Sequence, residues 1–255
     1  MLSNYLKAER LKFKRSLFQK LMIFIPAAVI LTTVILRYVG MGFSGFSGVM
    51  ACNWCMPIAS LSIVFLCHLI NKKEQKHQYR TLYSLPIDLR KTFISKTILV
   101  AVNLLIISLV LALFTTLFEW LSSDGLGLSG FYMGGYFILG YFVLWLSLLW
   151  QIPFCLFLDQ KVGFVGSVMI NLIASAMGGL FFYLTPIFWL YPYSWPARFM
   201  ATFFGVLTNG LPVAPDSRVI LSLAQSVLLL LISLLAVVIF TVLFSRWFKR
   251  QVYRK

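Results

Sequence analysis

Few residues of this 255-residue chain could do chemistry, and they stand at the borders of long apolar runs. Two of the four cysteines, Cys52 and Cys55, have the two-residue gap that is common in metal-binding pairs. The only histidines, His68 and His77, lie at the other end of an apolar run or beyond it, so four tetrahedral zinc ligands cannot be assembled nearby. We predict no metal site and interpret the cysteine pair as structural, with a disulfide or redox role left open.

The apolar runs hold no pair of acids and no pair of histidines. Intramembrane proteases and proton-coupled transporters need titratable or metal-ligating groups at depth, because leucine and phenylalanine can neither transfer protons nor bind metals. The sequence also lacks the Gly-x-x-x-x-Gly-Lys-Ser/Thr loop that cradles nucleotide phosphates. We therefore predict no catalytic residue and no directly bound cofactor, and work driven by ATP must be powered by another polypeptide.

The composition is that of an integral membrane protein. Hydrophobic residues make up 60% of the chain, charged residues only 11%, and the mean hydropathy is +0.90. A net charge of +15 could favour nucleic acid, but these charges flank apolar runs, so anionic lipid head groups are the expected partner. The first twenty residues are too polar, and the following apolar run too long, for a cleavable signal peptide.

The apolar runs predict an all-α membrane protein with a single domain over residues 1–255 and both termini in the cytoplasm. The six predicted transmembrane helices are 21–39, 53–71, 97–118, 131–154, 162–184 and 221–244. Of the 22 lysines and arginines, all but Arg37, Arg198 and Arg218 fall on the predicted cytoplasmic side, as the positive-inside rule requires. Residues 1–20 form a predicted interfacial helix, because Leu2, Leu6, Phe13 and Leu17 share one helical face while basic residues cover the others.

The loop 72–96 between the second and third predicted spans is the only long charged insert between two apolar runs. It is predicted to be cytoplasmic, with a short amphipathic helix that stops before Pro86. One interpretation is that a cytoplasmic protein docks there. The alternative is that a basic loop only fixes the topology.

Two further patterns concern the membrane interior and the outer face. The fifth predicted span carries a stripe of small and polar residues that favours close helix packing, with a substrate path as the alternative: Gly163, Ser167, Asn171, Ser175 and Gly179. The external loop 185–220 is rich in proline and aromatic residues typical of the head-group region, and one interpretation includes a re-entrant turn around 199–207.

The loop 72–96 resembles the loop between the second and third spans of type-2 ABC exporter permeases. In that family a glutamate leads through a short coupling helix into Ser-Leu-Pro-Ile, a basic pair and a lysine. The corresponding residues here are Glu74, Thr81-Leu82, Ser84-Leu85-Pro86-Ile87, Arg90-Lys91 and Lys96.

Four other stretches are similar to the E-type permease subunit of lantibiotic self-immunity transporters. They are LKAERLKFKR at 6–15, WQIPFCLFL at 150–158, PYSWPARFM at 192–200 and NGLP at 209–212. The resemblance extends over nearly the whole chain. It implies a permease of the bacterial cell membrane that exports or expels a lantibiotic peptide, a separate cytoplasmic ABC ATPase that hydrolyses ATP, and a second permease that is the same chain or a related one.

The resemblance also assigns roles to residues. Those expected to couple the permease to the ATPase are Glu74, Tyr79, Leu82, Tyr83, Leu85, Pro86, Arg90 and Lys91. Tyr79, Leu82 and Tyr83 would enter a groove of the ATPase, and Arg90 and Lys91 would hold the coupling helix at the lipid surface. Because lantibiotics are amphipathic and often cationic, candidate substrate contacts are Glu119, Asp124, Trp189, Tyr191 and Trp195, although such aromatic residues also serve as interface anchors. No role is assigned to His77 and Gln78.

Two alternatives keep the residues but change the function. One is a type-2 permease for another antibiotic, a lipid or a polymer. The other is an intramembrane enzyme that uses polar groups such as Asn103, Asn171 and Gln151, which the lack of titratable pairs disfavours.

Overall fold

The computed structural model describes residues 2–13, 16–40, 45–75, 88–122, 128–214 and 216–250. Apart from one isolated bridge between Val206 and Pro212, the regular elements of these ranges are helices, which confirms the all-helical class. The α-helices are α1 (Leu2–Lys12), α2 (Leu17–Tyr38), α3 (Phe46–Asn53), α4 (Ala59–Gln75), α5 (Leu89–Ser122), α6 (Leu128–Leu148), α7 (Gln151–Leu180), α8 (Trp195–Phe204) and α9 (Leu223–Arg250). A π-helical segment with Pro57 inside it, Trp54–Ile58, joins α3 to α4.

Within the described residues, five stretches are long and apolar enough to cross a membrane. They are Leu17–Tyr38, Phe46–Lys72, Leu89–Leu121, Gln151–Leu184 and Leu223–Arg250. The apolar part of α6, Gly134–Leu148, is shorter. These lengths agree with a multi-pass membrane protein, in which a helix of about 20 residues spans the hydrocarbon core.

Helix α5 is the central element of the bundle. It begins at Leu89, eight residues before the predicted span 97–118, because Asp88 caps it: the Asp88 carboxylate accepts a hydrogen bond from the Arg90 backbone N–H at 3.0 Å. One face is completely buried and repeats at helical spacing, through Phe93, Val100, Leu104, Ile107 and Leu111. The helix as a whole packs against several others, including α1, α2, α6 and α9.

Helix α7 is a hairpin and not one straight span. Gly163 has φ 77° and ψ −178°, which breaks the helix. The Gln151 amide donates a hydrogen bond to Asn171 at 3.1 Å, although a straight helix would separate these residues by about 30 Å. The two halves of α7 are therefore antiparallel, and the turn expected at 159–161 lies at Gly163.

The predicted fourth span, 131–154, is interrupted between α6 and α7 at Leu149 and Trp150. Pro153 lies in the first turn of α7, where a residue without an N–H is tolerated because the first amides of a helix have no intrahelical partner. A new helix therefore starts at Gln151. Helix α6 runs opposite to α5, with Gly134 beside Thr116 and Trp145 beside Ala101, and α9 also runs opposite to α5, with Phe248 beside Phe93. The first half of α7 runs along α9, from Trp150 beside Phe240 to Phe157 beside Trp247, so it continues the direction of α6.

After α7 the chain turns back along it. The Tyr191 hydroxyl donates to the Ala174 carbonyl at 2.9 Å, and the Tyr193 hydroxyl to the Asn171 side chain at 2.7 Å. Gly178 permits this approach, since a Cβ there would lie 2.7 Å from the Tyr193 backbone. The chain reverses again at Tyr193 and Ser194, where α8 begins, and Thr208 lies beside Gly179 once more. This re-entrant turn comes before the expected range 199–207, most of which lies inside α8. Pro196 in the first turn of α8 fits a helix start at this position.

We call the end of the bundle where α4 ends and α5 begins the loop end, and the opposite end the far end. The tip of the α7 hairpin at Gly163 and the carboxyl end of α9 share the loop end, since Asp159 contacts His68 of α4 and Phe248 contacts Phe93 of α5. Helix α1 lies there too, because the Asp88 backbone N–H donates to the Tyr5 hydroxyl at 3.1 Å.

Candidate functional site

The charged residues of the bundle meet at the loop end, at the base of the predicted coupling loop. Residues 76–87 lie outside the described part of the chain, and with them five residues predicted to couple to a partner: Tyr79, Leu82, Tyr83, Leu85 and Pro86. The structure does describe both attachment points of the loop, the last turn of α4 and the first turns of α5.

A buried ion pair joins these two attachment points. Lys96 on α5 is fully buried, and its ammonium group pairs with the Glu74 carboxylate on the last turn of α4. Lys96 also donates to the Asn71 side-chain oxygen at 3.4 Å, and its ammonium lies 5.7 Å from the centre of the Phe248 ring. A buried charge without a partner is costly, so the pair fixes α4 and α5 to each other directly beneath the loop.

Helix α1 is tied to the same carboxylate. Lys12 lies 3.2 Å from Glu74 and 2.6 Å from the buried Glu9. Burial disfavours the charged form of Lys12, but the hydrogen bonds and negative charges of Glu9 and Glu74 outweigh this effect and raise its pKa above 10.5. Lys12 is therefore a cation across the physiological pH range, and Glu74 accepts from two cations on different helices.

The α7 hairpin joins through a second carboxylate. Asp159, which is 1% exposed, lies 2.8 Å from the His68 ring nitrogen Nδ1 and accepts from the Asn71 amide at 3.0 Å. Asn71 therefore lies between Asp159 and Lys96. We call Glu9, Lys12, His68, Asn71, Glu74, Lys96 and Asp159 the loop-end network. It connects α1, α4, α5 and α7 through hydrogen bonds and ion pairs.

The basic pair Arg90 and Lys91 lies outside this network. Arg90 is exposed, and Lys91 makes a partly exposed ion pair with Asp88 at 3.7 Å. Pairs of this kind add little to stability. Both side chains are thus available to the membrane surface, whereas Glu74, which the sequence grouped with them, is 8% exposed and faces the bundle.

A second, uncharged polar cluster lies deeper in the bundle. The Gln151 amide donates to Ser60 at 3.0 Å and to Asn171 at 3.1 Å, and the Cys155 thiol donates to Asn171 at 3.3 Å. Of the predicted stripe, Ser167, Asn171, Ser175 and Gly179 are buried within the bundle, and Gly163 forms the hairpin turn. Buried polar groups that are mutually hydrogen-bonded fix helix positions where water is absent.

The candidate substrate contacts do not form one surface. Glu119 accepts a hydrogen bond from the Ser47 backbone N–H at 2.8 Å, so it caps the start of α3. Trp195 is 2% exposed and its indole donates to the Phe188 carbonyl at 3.1 Å. Trp189 and Tyr191 are half-buried on the returning segment. Asp124 lies outside the described residues.

Sequence reasoning placed Glu74 and Lys96 in one motif but did not give functional roles to His68, Asn71 or Asp159. A signal was present: His68, Asn71 and Glu74 recur every three residues, which places them on one face at the end of an apolar run. Such a stripe predicts polar partners on neighbouring helices. It does not identify them, because Asp159 is 88 or more residues away from each of its two partners.

Within the described residues, no group of three or more histidine, cysteine, aspartate or glutamate side chains could hold a metal ion. Cys52 and Cys55 are both free thiols, and Cys55 is buried.

Comparison with known proteins gives one finding on the family. A family model described as ABC-2 family transporter protein matches residues 5–179, which is more than half of the 255-residue chain. No curated protein and no solved structure matches the chain. The matched range includes every residue of the loop-end network.

Proposed function

The chain belongs to the ABC-2 family of transporter proteins, and we propose that it is the permease subunit that expels a lantibiotic peptide to give self-immunity or resistance. The family places it in the bacterial membrane as a multi-pass transport subunit, which works with a cytoplasmic ABC ATPase. The lantibiotic cargo is supported by the four stretches similar to the E-type subunit of immunity transporters. A second permease, identical or related, completes the proposed transporter.

The observation that carries the proposed mechanism is the loop-end network beneath residues 76–87. Glu74 and Lys96 fix the two helices that enter and leave this loop, and Lys12 and Asp159 extend the connection to α1 and α7. If the loop docks on the ATPase by Tyr79, Leu82 and Tyr83, its displacement during ATP hydrolysis moves α4 and α5 as one unit. ATP thus acts through the partner subunit.

We further propose six membrane crossings with both termini and the loop end in the cytoplasm. The α7 hairpin supports this number, because its two halves run in opposite directions and its first half continues the path of α6. The far end then faces outward. The partly exposed Trp189 and Tyr191 are the proposed first contacts for an amphipathic peptide on that side. Glu119 caps α3 at the far end, and the buried Trp195 packs against Trp150 inside the bundle.

The test is protection of a sensitive bacterial host against a small panel of lantibiotics. The chain is expressed with and without a co-expressed ABC ATPase and second permease from the same genome. We expect at least one lantibiotic to be resisted only when the ATPase is present and active. If the complex assembles and no lantibiotic is resisted, the cargo assignment is wrong, and another antibiotic, a lipid or a polymer takes its place.

A further inference from the structure

A cavity of about 450 Å³ lies between α1, the start of α2 and one side of α5. Its floor is apolar and includes Phe13 and Phe18, which are 3% and 2% exposed. Ligand sites in proteins commonly have volumes of about 300 to 1,000 Å³. The cavity is therefore large enough to hold part of a bound molecule. Its two walls, on α1 and on α5, differ in charge and polarity.

The wall that α1 contributes is cationic. Lys7 and Arg10 line the cavity, are exposed, and lie three residues apart on one helical face. Among the described residues, neither side chain is paired with a carboxylate, in contrast to Lys12 on the same helix. Two unpaired cations over an apolar floor are complementary to a ligand with an anionic head and an apolar body.

The opposite wall, on α5, is apolar except for Asn103 and is open at the side. Val102 and Ile106 on α5 are 46% and 37% exposed, on a surface that would face the hydrocarbon core. The part of α5 that lines the cavity runs from Ile98 to Ile106, a rise of about 12 Å, which is close to half the thickness of the hydrocarbon core and so to the depth of one leaflet.

A second cavity of about 500 Å³ lies next to it, between α5, α6 and α9. Its lining is almost entirely apolar, and Ile98 and Val102 line both cavities. Two apolar compartments that share one wall match the two acyl chains of a single lipid.

We propose that these cavities bind one anionic phospholipid from the leaflet on the loop-end side. Its phosphate lies between Lys7 and Arg10, one acyl chain lies against Phe18 and Ile106, and the other lies in the second cavity beyond Val102. The bound lipid holds α1 against α5. Because Lys12 of α1 pairs with Glu74, the lipid also stabilises the loop-end network.

The experiment measures lipid binding to the full-length chain by native mass spectrometry, with phosphatidylglycerol as the anionic probe and phosphatidylethanolamine as the zwitterionic one. Each basic side chain near an anionic group contributes about a factor of five in affinity, so Lys7→Gln/Arg10→Gln should weaken phosphatidylglycerol binding about thirty-fold. The matched control, Lys249→Gln/Arg250→Gln, removes two exposed cations from the same end outside the cavities and should leave binding within about two-fold.

A second variant tests the apolar part of the site. Val102→Trp fills space in both cavities without changing charge. It should also weaken phosphatidylglycerol binding at least ten-fold, because the indole ring displaces a segment of a lipid acyl chain that would otherwise be buried. The proposal is overturned if the control and the cavity variants lose binding equally, or if phosphatidylethanolamine binds as tightly as phosphatidylglycerol. It is also overturned if sn-glycerol 3-phosphate binds as well as the lipid, since the acyl chains would then contribute nothing. None of these outcomes depends on the cargo of the transporter.

Discussion

At the scale of single residues, the Glu74–Lys96 pair explains why two charges persist inside an otherwise apolar bundle. Lys96 has no exposed surface, and its carboxylate partner is also held by Lys12. The intact pair is much more stable than a variant that lacks one of the two charges, because the remaining charge is then buried and uncompensated. Its value lies in specifying how α4 and α5 meet.

We expect Lys96→Met to destabilise the protein by about 3 to 5 kcal/mol, because Glu74 then remains buried and, of its described partners, keeps Lys12 alone. The double variant Glu74→Gln/Lys96→Met, which leaves no unpaired charge, should recover most of this loss. Thermal unfolding of the purified chain in detergent measures both. If the double variant is as unstable as Lys96→Met, or less stable, the two side chains are not coupled in the way described.

Residue identities at this site could be predicted only in part. Glu74, Arg90 and Lys91 were singled out from the order of residues in the loop, and their positions at its two ends follow from the sequence itself. Their different environments, buried for Glu74 and exposed for Arg90, depend on which helices approach from elsewhere in the chain. The pairings of Lys12 and Asp159 are tertiary contacts of the same kind, and no local pattern specifies them.

At the scale of elements, the break in α7 determines how the polar cluster of the bundle forms. The two halves bring Gln151 and Asn171 together only because Gly163 adopts a positive φ with ψ near 180°, a region that residues with a Cβ rarely occupy. A Cβ at this position would meet no atom within 4 Å, so space is not the constraint.

Gly163→Ala should therefore destabilise the protein by about 1 to 3 kcal/mol through backbone strain alone. Gly135→Ala is the matched control, since Gly135 is helical and also has no atom within 4 Å of an added Cβ. This control should be neutral or more stable by up to about 1 kcal/mol, because alanine favours helix over glycine. Equal midpoints of thermal unfolding for the two variants would contradict the assigned role of Gly163.

The positions of long apolar helices could be predicted well from hydropathy. The breaks between helices, which depend on backbone geometry, could not. The apolar runs located α2, α5 and α9, since burial in a membrane requires long uninterrupted helices. The sequence does not predict the interruption at Leu149 and Trp150. It also does not predict the three short 3₁₀ helices before α8, which are Phe182–Leu184, Pro186–Leu190 and Pro192–Ser194. These breaks involve only a few residues each, so hydropathy averaged over a window of about nineteen residues does not detect them.

At the scale of the whole molecule, the two ends of the bundle differ in chemistry. The loop end holds the charged residues that connect α1, α4, α5 and α7, whereas the far end is held by aromatic contacts such as Phe46 with Phe118 and Phe137 with Phe204. A movement applied to residues 76–87 therefore reaches several helices at once. The proposed coupling of ATP hydrolysis to these helices requires the ATPase to dock on this loop.

The decisive measurement is co-purification of the ABC ATPase with the chain and with three single variants of the loop. Leu82→Asp and Leu85→Asp place a charge on the proposed apolar docking face, while Gln78→Asp introduces the same charge at a position with no assigned role. We expect at least ten-fold less ATPase with Leu82→Asp and Leu85→Asp, wild-type amounts with Gln78→Asp, and equal membrane abundance throughout. Unchanged ATPase recovery with both leucine variants would contradict docking through this loop.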